Sequence, residues 1–244
     1  MRFWGKSVWV LPITTLKFAE RRAAIEGTWG SILPHTYYSD HQDSLTIKVS
    51  EDNTYKSVVE KTINIIRILQ IQDSEISKRI MRSKWLMFVD DDTFINPKNI
   101  KAVLKNLDES ATYGELHDYR IQDENGNPGV LEILEKYPTL THGFHGGAGI
   151  LITPENLKRI NLNLWTAPKI FHGDVAFTLL LWLSGIEMKT LLGLNWNSPS
   201  YYGDGFNPNG HITFHYMDVE AMKRTWNLFK SPKTDSKFLI DPKR

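Results

Sequence analysis

The sequence predicts an α/β layer fold, with a mostly parallel central sheet flanked by helices, in a single domain. Three observations carry that expectation. Short apolar runs suited to buried strands, at residues 7–11, 45–49 and 85–89, alternate with stretches of helical periodicity. Composition is that of an ordinary globular chain, 41% hydrophobic and 23% charged over 244 residues. No internal repeat and no Ser/Gly/Pro-rich linker divides it.

Taken in order, residues 7–11 form a first buried strand that Pro12 ends, because proline cannot donate to a ladder. Residues 18–29 read as a helix ending near Gly27 and Gly30, and residues 45–49 alternate as a strand does. Tyr55, Val58, Val59, Ile63 and Ile66 recur at helical spacing, in a helix that runs to about Gln72. Residues 85–89 are the central strand. Asn96 before Pro97 gives a helix cap and first turn, and Ile100, Val103, Leu104 and Leu107 give that helix its apolar face. Residues 123–129 concentrate turn chemistry and predict an exposed hairpin or loop. Residues 149–152 are strand-like, and Thr153-Pro154 opens a short helix. Residues 175–183 are apolar nearly all round, a buried helix stopped by Gly185. Residues 194–210 are a loop holding Trp196, Tyr201, Tyr202 and Phe206, and residues 212–216 are a last strand. The body spans residues 1–220. Residues 221–244 form a basic tail whose Trp226, Phe229 and Phe238 pack onto it, with its cations solvated or weakly facing an anionic lipid surface.

Several function classes fall away. Lys+Arg 29 against Asp+Glu 28 leaves a formal charge of +1, so there is no excess of cations for coating nucleic acid. The longest strongly apolar run, residues 177–186, is too short to span a bilayer, and the first six residues lack a signal-peptide pattern. With no cysteine, disulfides, thiolate catalysis and Cys-based zinc sites are excluded together. There is no Asn-x-Ser/Thr acceptor either. These points favour a reducing compartment, the alternative being a trimmed lumenal fragment. No His-Glu-x-x-His, P-loop or Gly-x-Ser-x-Gly motif occurs.

Four features could carry chemistry. Asp90-Asp91-Asp92 ends the apolar strand, where ligands of open α/β sheets gather. Three adjacent carboxylates repel one another, and a divalent cation relieves that repulsion. Alternation points Asp90 and Asp92 the same way. Against this stands a solvated acidic turn. Gly146 and Gly147, in His145-Gly-Gly-Ala-Gly149, let backbone N–H groups approach an anion or sugar hydroxyls, or simply form a tight turn. Asp174 opens the buried helix, either as its N-cap or as a general base. His211 and His215 share one side of the last strand, where an imidazole could complete a metal shell begun by Asp92.

These motifs together resemble the Fringe and β1,3-galactosyltransferase superfamily, inverting glycosyltransferases of GT-A fold. Residues 21–30 are similar to that family's Arg-x-x-Ile-Arg-x-Thr-Trp-Gly entry, and residues 84–95 to its metal-binding strand and triplet. His145-Gly-Gly-Ala-Gly149 resembles its glycine turn, Gly173-Asp-Val175 its acidic step, and residues 210–216 the ending of core 1 β1,3-galactosyltransferases. The resemblance spans roughly residues 6–220. It implies a metal-dependent transfer of a hexose or N-acetylhexosamine from a UDP-sugar to a hydroxyl of a glycan, glycolipid or protein, in β1,3 linkage. Asp92 and His215 would bind Mn²⁺ or another divalent cation, and Asp90 and Asp91 would hold the ribose or water around it. Thr14, Arg22 and Asp40 would help to hold uridine diphosphate, and Asp174 would be the base. The chain departs from the pattern at Glu26 (usually Arg), at Gly173 (often a carboxylate) and in lacking cysteine, unlike the disulfide-bonded Golgi members. That last departure implies a cytoplasmic, bacterial enzyme, the alternative being a lumenal Golgi fragment without its anchor. Two other readings stay open: a catalytically silent nucleotide- or sugar-binding module, and a metal-dependent phosphoryl-transfer enzyme.

Overall fold

The computed structural model describes residues 7–54, 57–120, 128–166, 170–202 and 210–230. A seven-stranded sheet has the spatial order β10-β6-β9-β4-β1-β2-β3. Its strands are β1 (Val8–Ile13), β2 (Tyr37–Ser39), β3 (Thr46–Lys48), β4 (Trp85–Asp90), β6 (Thr112–Gly114), β9 (Ile150–Ile152) and β10 (Met188–Thr190). All pairings are parallel except those of β9, which runs antiparallel to β4 and β6. The strand expected at residues 149–152 is therefore real but reversed. Strand β5 (Phe94–Ile95) pairs with β11 (Thr213–Phe214), and β7 (Leu116–Asp118) with β8 (His142–Phe144).

Alternation along β1 and β4 builds two cores. Val8, Val10, Trp85, Met87 and Val89 face one side, where α1 (Ala19–Gly27), α4 (Pro97–Val103) and the last helix α8 (Val219–Lys230) cover them. Trp9, Leu11, Leu86 and Phe88 face the other, under α2 (Val58–Ile71) and α7 (Gly173–Leu183). Helices α3 (Glu75–Ile80), α5 (Pro128–Lys136) and α6 (Pro154–Arg159) complete the chain order. The helix signals read from sequence are used as expected. Asn96 accepts from the N–H of Lys98 and Asn99 ahead of Pro97, Thr153 caps α6, and Gly185 adopts a φ of +63° after α7.

Pro12 does not end the first strand. Pro12 and Ile13 stay in register with Val89 and Asp90, carrying β1 to the level of the acidic triplet. The last strand is shorter than expected, two residues of an antiparallel ribbon, and the expected boundary after residue 220 falls inside α8. Most of the 123–129 turn and Phe206 and Phe238 lie outside the described residues. Among the described residues, no helix is long and apolar enough to cross a membrane.

The topology fixes where a ligand can go. From β1 the chain proceeds to β2 and β3 on one side, whereas β4 lies on the other. The carboxyl ends of β1 and β4 thus flank a switch point, the crevice where open α/β sheets bind ligands.

Candidate active site

A cavity of about 360 Å³ opens at that switch point. Thr14 follows β1 into it, the triplet follows β4, and Gly146, Asp174, His215 and Tyr216 also line it.

The triplet divides its labour by strand alternation. Asp90 and Asp92 both point to His215, whose Nε2 lies 3.4 Å from Asp90 Oδ2 and 3.1 Å from Asp92 Oδ1. One donor atom from each of the three residues falls within 4.8 Å of the others. Asp91 turns inward and is nearly fully buried. It accepts from Thr14 Oγ1 at 2.6 Å and from Arg21 Nη1 at 2.7 Å, and Arg21 also lies 3.3 Å from Asp92 Oδ2. Burial raises the Asp91 pKa to about 6 despite those two partners.

The residues fit a divalent cation. Asp92 Oδ1 is buried and has no hydrogen-bond partner, although His215 Nε2 is only 3.1 Å away. Asp90 Oδ2 lies 3.4 Å from the same nitrogen, so the three donor atoms converge on a common point. Carboxylates with one imidazole suit Mn²⁺ or a similar ion. His215 Nδ1 lies 3.2 Å from the Trp196 carbonyl, which can only accept, so in the neutral ring Nε2 carries the free lone pair. Burial opposes the imidazolium, yet Asp90 and Asp92 overcome it and lift the metal-free His215 pKa to about 10.

Asp174 is the second residue of α7, whose N-cap is His172, so it is not the cap itself. Its Oδ2 accepts from the Gly146 N–H at 2.9 Å and its Oδ1 from the Val175 N–H at 2.8 Å. Each oxygen keeps a further lone pair, so the carboxylate is fixed in place and can still take a proton. The Gly146 N–H is therefore spent on Asp174. Gly147 serves by close approach instead, since a Cβ there would lie 2.1 Å from His215 Cε1.

The remaining expected residues separate. Thr14 lines the cavity. Arg22 does not: its guanidinium sits on His41 and Asp43 and over the Tyr37 ring. Asp40 also stays outside, accepting from the Leu16 N–H and lying 3.9 Å from Lys61 Nζ. His211 approaches Asn195 at 3.0 Å rather than the triplet.

Three cavity residues that the sequence reading did not single out bear most directly on the site. Arg21 is the cation on the triplet, held over the Phe18 ring at 4.2 Å. Lys61 is 2% exposed and donates to the Thr14 carbonyl at 3.1 Å, with burial depressing its pKa against the pull of Asp40. A lone lysine among the apolar positions of α2 was its signal. Tyr216 is the third. Beyond the glycine turn, His145 stacks on Trp196 at 5.4 Å and meets His117 at 3.8 Å. Burial lowers the His145 pKa to about 4 and raises that of nearby Glu115 to about 7. Tyr201 packs edge-on against Trp196, so the expected aromatic cluster exists except for Phe206, which is not described.

Comparisons with known proteins bear on the family and the fold. The profile of the Fringe-like family matches residues 6–176, well over half of the chain. No curated protein sequence matches. Among solved structures, the bifunctional glycosyltransferase WbbM aligns with a TM-score of 0.54 at 14% identity, over 93% of this chain and 50% of its own. The glycosyltransferase GlyE of Streptococcus pneumoniae aligns with a TM-score of 0.50 at 11% identity, over 92% of this chain and 62% of its own. The chain thus spans half of one of these proteins and 62% of the other. At such identities the likeness establishes the fold, which is GT-A.

Proposed function

The chain belongs to the Fringe-like family with a GT-A glycosyltransferase fold, and from that premise we propose a metal-dependent, inverting transferase that uses a UDP-sugar. The donor is a UDP-hexose or UDP-N-acetylhexosamine, the acceptor a hydroxyl of a glycan, glycolipid or protein, and the linkage β1,3. One observation carries the reading. Asp90, Asp92 and His215 converge on one wall of a cavity that also holds a fixed carboxylate, Asp174.

Asp90, Asp92 and His215 would hold Mn²⁺ or another divalent cation, which when bound supplies Lewis-acid neutralisation of the departing diphosphate. The chain's own residues do the rest. Thr14, Lys17, Arg21 and Lys61 line the side of the cavity that would take the nucleotide. Arg21 and Thr14 keep Asp91 turned away from the ion, so Asp90 and Asp92 stay aimed at it. Arg22 and Asp40 act at one remove, Arg22 by tying down the 41–43 segment and Asp40 by facing Lys61. Asp174 takes the acceptor hydroxyl proton as that oxygen bonds to the anomeric carbon and the bond to the diphosphate oxygen breaks. One displacement inverts the configuration, so a single base suffices.

Calorimetric titration of UDP with and without Mn²⁺, followed by turnover of a panel of UDP-sugars, tests the reading. Metal-dependent binding that Asp92→Ala abolishes is expected. Asp174→Asn should keep that binding and lose on the order of 10²–10⁴ in turnover. Absence of UDP binding by the wild type with Mn²⁺ present would overturn the proposal, and binding without turnover would leave a silent module.

A further inference from the structure

Tyr216 is one of two non-glycine residues with positive φ among the described residues, at +52°, and it lines the cavity. A bulky side chain in left-handed backbone is costly and persists where its surroundings over-determine it. Here they do. The His215 N–H donates to the Asn195 carbonyl at 3.1 Å on one side, and the Met217 N–H to the Asp92 carbonyl at 3.0 Å on the other. The chain is thus tied to the triplet's own backbone through the unfavourable residue.

The ring uses this constraint in a specific way. One face stacks on the His215 imidazole, centroids 3.9 Å apart at 27°. The residue is nevertheless 60% exposed and lines the cavity, so the ring keeps an open face. Asp90 and Asp92 on the metal side, and Asp174 on the base side, all lie within electrostatic reach of its hydroxyl. In an in-line displacement the group between the leaving diphosphate and the base is the transferred sugar.

Resting on the function proposed above, we infer that Tyr216 is the platform for the transferred sugar of the donor, its open face against the apolar face of the pyranose. It therefore discriminates a nucleotide sugar from the bare nucleotide. The diphosphate is gripped elsewhere, so Tyr216 adds affinity for UDP-hexose and none for UDP.

The backbone supplies a clean test, because glycine adopts this φ without strain. Kd values for UDP, UDP-galactose, UDP-glucose and UDP-N-acetylglucosamine are measured with Mn²⁺ for wild type, Tyr216→Gly, Tyr216→Phe and Tyr216→Leu. Wild type should bind at least one UDP-sugar more tightly than UDP. Tyr216→Gly should melt no lower, bind UDP within about twofold of wild type, and lose roughly five- to tenfold toward that UDP-sugar, the scale of one aromatic contact. Tyr216→Phe should keep the preference and Tyr216→Leu lose it, which preserves the test if the glycine variant misfolds. Equal loss of UDP and UDP-sugar, no loss of either, or a change confined to the acceptor KM would overturn the inference while leaving the transferase reading intact. Failure of wild type to bind any of the four would overturn both.

Discussion

His215 faces two opposing demands on its protonation. In the metal-free protein Asp90 and Asp92 hold it as an imidazolium, with a pKa of about 10 against an ordinary 6.5. A folded-state pKa above the unfolded one contributes stability that is complete below pH 6.5 and is lost as pH rises through 10. A cation needs the neutral ring, so its binding expels about one proton, and its apparent affinity should rise about tenfold per pH unit between 6.5 and 10. Mn²⁺ titrations from pH 6.5 to 8.5, in buffers of different ionisation enthalpy, check both statements. An affinity flat with pH in wild type would show that His215 is not the proton donor, whereas His215→Asn should flatten it. The triplet and His215 were legible in sequence because few other residues carry such chemistry at the end of an apolar strand. Arg21 and Arg22 were not separable. Adjacent helix positions differ by about 100°, and a short motif match does not say which one faces the ligand.

Each wall of the site is an element held by its neighbours. The single turn at Gly146–Ala148 lies between α7 and the β5–β11 ribbon, touching Asp174 through the Gly146 N–H and His215 through the space at Gly147. Thr93 Oγ1 donates to the Gly147 carbonyl at 2.8 Å, and Thr213 Oγ1 to the Ala148 carbonyl at 2.6 Å, so the turn has little freedom to retreat. Gly147→Ala should therefore push the imidazole off the metal position. The expected result is at least a tenfold loss of Mn²⁺ affinity with an overpacking cost of about 1–3 kcal/mol. Calorimetry and thermal melts separate the two, and unchanged metal affinity would mean that the ring can shift without leaving the site. Sequence patterning found the longer elements: β1, β4 and α7 as continuous apolar runs, and α2 by its helical period. Strands of two or three residues, such as β5 and β7, are too short to show alternation. Nothing in residues 149–152 announces that β9 runs backwards, since orientation is set by partners.

At the scale of the whole molecule, α8 decides whether the carboxyl-terminal segment is a tail or part of the body. Met222 and Trp226 are buried in the core beneath the α1 face of the sheet. Trp226 meets Phe94 edge-on at 6.4 Å, while Phe229 stacks on Phe94 at 5.5 Å. Phe94 belongs to β5, whose partner β11 runs directly into His215. The helix therefore buttresses the ribbon that presents a proposed metal ligand, far along the chain from the family-matched residues 6–176. Trp226→Ala should cost about 3–5 kcal/mol, the usual range for emptying a buried indole site. It should also weaken Mn²⁺ binding, because Phe94 can relax into the void. Denaturant unfolding of the variant, with and without Mn²⁺ and UDP, measures both effects. Ligands that bind only the folded state should restore part of the lost stability by mass action. A loss below about 1 kcal/mol, well short of a buried-indole cost, together with unchanged metal affinity, would show instead that α8 is peripheral and that the body ends before it.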